Sequence, residues 1–100
     1  MKALLINPET QSVEAIDIQS VQDIADRIGF ETVISDEIGP DGDRLYFDEE
    51  CFLRGTSGRF QIKGVAPVAG IGIVAGSKDG EALCDAASDV ASLNARVRYL

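Results

Sequence analysis

Charge in this chain is sorted into blocks, and that sorting restricts how it can fold. Between Glu9 and Glu50 stand 13 acidic residues against two basic ones, Arg27 and Arg44. From Cys51 to Lys78 there is no acid, only Arg54, Arg59, Lys63 and Lys78. Acid returns at Asp79, Glu81, Asp85 and Asp89, and Arg96 and Arg98 follow. Either acidic and basic elements lie side by side in the fold, or an acidic surface is left for a partner. The net charge of −8 disfavours non-specific contact with nucleic acid or anionic membrane and points to a basic partner.

A chain of 100 residues with 45% apolar and 26% charged side chains suits one globular domain, residues 1–100, and not a disordered segment. Ala3-Leu4-Leu5-Ile6 is too short for a signal core and stops at Asn7-Pro8. No apolar run reaches membrane-spanning length. Cys51 and Cys84 make no disulfide framework, so the expectation is two reduced, half-buried thiols in a cytoplasmic protein.

Lys2 to Ile6 and Val13 to Ile18 read as two strands of a hairpin around the Asn7-Pro8-Glu9-Thr10 turn. Ser20 followed by Asp23 is a capping-box signal. Val21, Ile24, Ala25 and Ile28 then form one apolar stripe of a short helix that Gly29 ends. Phe30 to Ile34 and Leu45 to Phe47 predict paired strands across the Gly39–Asp43 turn cluster, and Cys51-Phe52-Leu53 a continuation after a bend. Phe60 and Ile62 suggest a short strand. Val65 to Ala75 is the most apolar stretch, but Pro67 argues against a regular ladder throughout it. Gly70, Gly72 and Gly76 among Ile71, Ile73 and Val74 suit a strand that something approaches closely. A turn at Ser77-Lys78-Asp79-Gly80, a last helix capped by Ser88 with Val90 and Leu93 inward, and a terminal edge strand with Arg96 and Arg98 outward complete the reading. The order implies an α+β fold: a single mixed, mainly antiparallel sheet with one or two short helices on one face.

Taken together, Met1-Lys2-Ala3-Leu4-Leu5-Ile6-Asn7-Pro8, the helix end at Ile24–Gly29 with Phe30-Glu31-Thr32-Val33, Leu45-Tyr46-Phe47-Asp48-Glu49-Glu50 and Gly70–Gly76 resemble the DUF3846 family of small domains. Those domains are met chiefly in plasmids, phages and other mobile elements. The chain departs from them in carrying Cys51 and Phe52 where a glycine-containing turn is usual. The resemblance implies an intracellular accessory protein of a mobile element and no particular activity.

With no histidine in the chain, Ser–His and Cys–His nucleophile pairs and Cys/His zinc sites are excluded within it. Gly70-Ile71-Gly72-Ile73-Val74-Ala75-Gly76 has G-x-G-x-x-x-G spacing, but a dinucleotide site needs a helix to start there, and β-branched residues stand in its place. Arg54, Ser57, Arg59 and Lys63 form a candidate anion-binding loop, in which backbone N–H groups and guanidiniums would converge. The competing reading is a surface loop whose cations pair with the acidic block. Asp48 and Glu50 on one strand face could hold a cation, but no third ligand is evident by spacing, so no metal or cofactor is expected.

The reading that follows is a non-catalytic protein, not an enzyme. It would bind a basic protein partner through Asp36, Glu37, Asp48, Glu49 and Glu50, with nucleic-acid mimicry as a related form. No direct contact with nucleic acid or membrane is expected. The alternative is a small-molecule or anion-binding domain built on the Arg54–Lys63 loop and the glycine-rich strand. Val97, Tyr99 and Leu100 at an open sheet edge are a candidate homodimer seam.

Overall fold

The hairpin expected at the N-terminus forms β1 (Lys2–Asn7) and β2 (Ser12–Asp17), paired from Lys2↔Asp17 to Asn7↔Ser12. The computed structural model that shows this describes residues 1–78 and 82–100. Part of the expected Ser77–Gly80 turn, with the acids Asp79 and Glu81, lies outside the described residues. Because successive strand residues face opposite ways, β1 feeds two cores. Leu4 and Ile6 enter one cluster, and Ala3 and Leu5 the other.

Helix α1 (Val21–Ile28) starts where expected, with the Ser20 Oγ accepting from the Asp23 N–H at 3.2 Å. The Asp23 carboxylate reaches back to the N–H of Gln19, not Ser20, at 2.8 Å, so the capping pair is offset by one residue. Gly29, at φ 93°, is the left-handed residue that closes the helix, and its N–H donates to the Ala25 carbonyl. Ile24, Ala25 and Ile28 are buried, whereas Val21 stays in solvent.

Next come β3 (Val33–Glu37), β4 (Asp43–Asp48), β5 (Arg59–Ile62), β6 (Val68–Ala69), β7 (Gly72–Lys78), β8 (Ala82–Cys84), helix α2 (Val90–Asn94) and β9 (Val97–Tyr99). The main sheet runs β2-β1-β7-β4-β3, with β8 also paired to β7, and a smaller sheet runs β6-β5-β9. Among the described residues every ladder is antiparallel. The fold is thus α+β with one main, antiparallel sheet.

Several local expectations shift. Phe30 is not in a strand; it packs on the α1 side of the main sheet, and β3 begins at Val33. Cys51-Phe52-Leu53 is a turn, closed by the Cys51 N–H on Asp48 and the Arg54 N–H on Glu50. Asp89, not Ser88, caps α2, in a reciprocal pair with Ser92. Helix α1 covers one face of the main sheet. Helix α2 lies over the opposite face with the small sheet, because Leu93 packs into the cluster holding Phe60, Ile62 and Leu45. The helices therefore divide between the faces instead of sharing one.

The glycines of β7 explain how the two sheets approach. A Cβ on Gly72 would stand 2.6 Å from Phe60 Cζ and 3.0 Å from Leu45 Cδ1. A Cβ on Gly76 would stand 2.3 Å from the Asp85 carbonyl oxygen. The G-x-G-x-x-x-G spacing is thus a packing notch in an antiparallel strand, and no helix starts there to face a pyrophosphate. Gly76→Ala must push backbone aside, and should lower unfolding free energy by about 1–3 kcal/mol, read from the urea midpoint. Both cysteines are free, Cys51 buried and Cys84 half-buried. Alkylation without reductant should therefore modify Cys84 under native conditions and Cys51 only after unfolding.

Candidate functional site

The tight turn after β4 decides the fate of the expected anion loop. It brings Arg54 back over the end of that strand, where Nε meets Asp48 Oδ2 at 2.7 Å and a terminal nitrogen meets Glu50 Oε2 at 3.2 Å. The same guanidinium donates to Thr32 Oγ1 at 3.1 Å and sits 4.0 Å from the centre of the Phe30 ring. Arg59 stacks on Phe52, with 5.2 Å between guanidinium and ring centre. Ser57 lines a separate cleft with Asn7, Pro8 and Ile71. Lys63 lies elsewhere again, beside Arg96 and Arg98. The four residues are not brought together, and Arg54 is neutralised within the fold.

Asp48, read from sequence as a docking carboxylate, is 3% exposed. It accepts from Thr32 Oγ1, from the Glu50 N–H at 3.1 Å and from Arg54. That withdraws it from any docking surface. Asp43 is likewise buried, and its carboxylate accepts from the N–H groups of Ala87 at 2.7 Å and Ser88 at 3.0 Å. This pins the segment before α2 to the β3–β4 hairpin. Asp85 receives the Lys2 N–H at 2.8 Å, and Asp23 and Asp89 cap the helices. A share of the acids is therefore structural, each satisfying backbone donors that would otherwise be unpaired.

The acids left in solvent do not share one face. Glu14 and Asp17 lie on β2, at one edge of the main sheet. Asp36 and Glu37 lie on β3, at the other edge, with Glu31, Asp41, Glu49 and Glu50 exposed around the same hairpin. Of the carboxylates expected to meet a partner, Asp36, Glu37, Glu49 and Glu50 thus gather on the β3–β4 hairpin, and Glu50 is held there by Arg54.

Among the described residues neither edge strand has an outer pairing partner, but their neighbours differ. Helix α2 packs against β2. Among the described residues no element pairs with the outer side of β3. Hydrogen bonds from Glu49 N–H to the Thr32 carbonyl and from Ile38 N–H to the Asp43 carbonyl set the β3–β4 alternation. Thr32, Ile34, Asp36 and Ile38 therefore turn their backbone groups toward β4, and Val33, Ser35 and Glu37 turn theirs outward. Arg44 reaches across from β4, donating from Nε to Ser35 Oγ at 2.9 Å and from a terminal nitrogen to the Ser35 carbonyl at 3.1 Å. Sequence reading missed this contact: Arg44 stands opposite Glu37 in register and grips the residue two before it. Among the described residues no group of three or more potential ligands is placed to hold a metal ion, and no helix is long and apolar enough to cross a membrane.

None of the family models, curated proteins or solved structures compared with this chain matches it.

Burial alone would raise the Asp48 carboxyl, but hydrogen bonds from Thr32, the Glu50 N–H and Arg54 outweigh it and hold the group below the ordinary range. Its stabilisation is therefore complete above the unfolded value of about 3.9 and fades as pH falls through the lower folded value. Asp48→Asn should cost about 1.5–3 kcal/mol at neutral pH and flatten the loss of stability below pH ~4, measured by urea unfolding across pH.

Proposed function

We propose that the chain is a non-catalytic binding protein whose β3 edge takes up an extended, basic segment of a partner protein. One observation carries this reading: β3 is a strand edge with outward backbone groups at Val33, Ser35 and Glu37, and exposed carboxylates surround it. An added strand gains affinity from main-chain hydrogen bonds. Lysine or arginine side chains on that strand would find Asp36, Glu37 and Glu49 beside them, which speeds encounter and selects the partner by charge. Arg44 does not close the edge, because the Ser35 carbonyl has a second lone pair. Phosphate mimicry has less support, since the exposed acids divide between two sheet edges. A second copy has less ladder to add at β9, which is only Val97–Tyr99. The accessory role in a mobile element implied by the resemblance to DUF3846 domains is compatible with such capture.

A peptide alternating lysine with valine is the test ligand, titrated by fluorescence anisotropy. Its affinity should fall steadily as salt rises, and the Asp36→Lys, Glu37→Lys double variant should slow association about tenfold or more. Glu37→Pro removes an outward N–H without breaking a β3–β4 bond, so it should weaken binding while leaving the melting temperature nearly unchanged. Wild-type binding by both variants would end the proposal.

A further inference from the structure

The small sheet carries a second, oppositely charged feature that the β3 reading does not use. In the β5–β9 ladder Gln61 stands opposite Arg98, and the Lys63 N–H donates to the Arg96 carbonyl at 3.0 Å, placing Lys63 opposite Arg96. Phe60, Ile62, Val97 and Tyr99 turn inward to the core. Alternation therefore puts Gln61, Lys63, Arg96 and Arg98 together on the outer face. There they line one cleft of about 510 Å³, within the usual range for small ligands, with the small residues Gly64 and Ala95 between them. Among the described residues no carboxylate lines it.

Three of the nine cationic side chains of an acidic protein thus meet in one place. Among the described residues the ion pairs are those of Arg54, so Lys63 and Arg98 have no carboxylate partner there. Like charges directly opposite each other destabilise a ladder, and Lys63 faces Arg96. One of the cations is fixed: the Arg96 guanidinium donates to the Ile38 carbonyl, which ties this lining residue to the end of β3. The net charge of −8 repels anions at long range, but salt screens that field within about 8–10 Å, leaving the local cations dominant.

We propose that this face is a binding site for a small anion carrying two phosphates. Two separated cations, Lys63 and Arg98, flank the anchored Arg96, and a guanidinium can hold two oxygens of one phosphate at once. A single phosphate engages fewer of them. The site is lined by the small sheet, touches the β3–β4 hairpin through the Arg96–Ile38 contact, and does not rest on the role of the β3 edge.

Inorganic pyrophosphate added to the full chain is the probe, followed by backbone amide shifts and by calorimetry, against sodium chloride at matched ionic strength. Shifts should concentrate at Gln61–Gly64 and Ala95–Arg98, and pyrophosphate should bind more tightly than inorganic phosphate. The Lys63→Gln, Arg98→Gln double variant should weaken pyrophosphate at least tenfold, while Arg59→Gln, which alters a cation outside the cleft, should leave it unchanged. The proposal fails if pyrophosphate acts no differently from sodium chloride, or if the double variant binds as wild type. It also fails if a single-stranded oligonucleotide binds this face and pyrophosphate does not.

Discussion

The fold depends on one strand that has almost nothing but other protein around it. Gly72 to Gly76 of β7 are buried, and β1, β4 and β8 all hydrogen-bond to this strand. Its side chains alternate between the two cores: Val74 joins the cluster shared with the small sheet, and Ile73 and Ala75 join the cluster under α1. Glycine at 72 and 76 clears space on either side of Val74, so Phe60 and the Asp85 backbone can close on the sheet. A side chain at Gly72 would hold the layers apart and one at Gly76 would collide with the Asp85 backbone, and interiors packed like organic crystals have no slack to absorb either.

The acidic residues do two jobs that look alike in the chain. Asp43 and Asp48 are core components, surrounded by donors, and Asp85 ties the β8–α2 connection to the first strand. Glu31, Asp36, Glu37 and Glu49 remain in solvent around β3. What separates the classes is whether backbone N–H groups from distant segments arrive beside them. Asp43 meets donors at 87 and 88, and no local pattern reports that meeting.

Legibility follows the same line. The Ser20 cap, the Ile24–Ile28 stripe, the Gly29 terminator and the first hairpin were readable because their causes are local. The packing role of the β7 glycines was readable because β-branched residues stood where a helix would have to begin. Strand β8, the separate small sheet and the placement of α2 were not, because each depends on tertiary partners: Ala82–Cys84 pairs with β7, and Leu93 seeks the Phe60 cluster. The candidate site was half legible. Asp36 and Glu37 are exposed on an edge strand, but Cys51-Phe52-Leu53, a strand by its residues, belongs to the turn that carries Arg54 onto Asp48. Both edge strands also carry an arginine on a main-chain carbonyl, Arg44 on Ser35 and Arg27 on Asp17 at 3.3 Å. Such contacts make promiscuous edge-to-edge pairing less favourable while leaving room for a partner that brings compensating charge.

The position of β7 along the chain has a kinetic consequence. Its neighbours β1 and β4 are both made earlier by the ribosome, and each can form a hairpin with the strand beside it, β2 or β3, as soon as it emerges. Neither hairpin has its inner neighbour until Gly72–Lys78 appears, and the span from Leu4 to Val74 must then close as one loop. Nascent chains would therefore carry two unpaired inner borders from the completion of β4 until β7 is made. Refolding from denaturant should be paced by the arrival of that middle strand, as is usual for topologies rich in distant contacts.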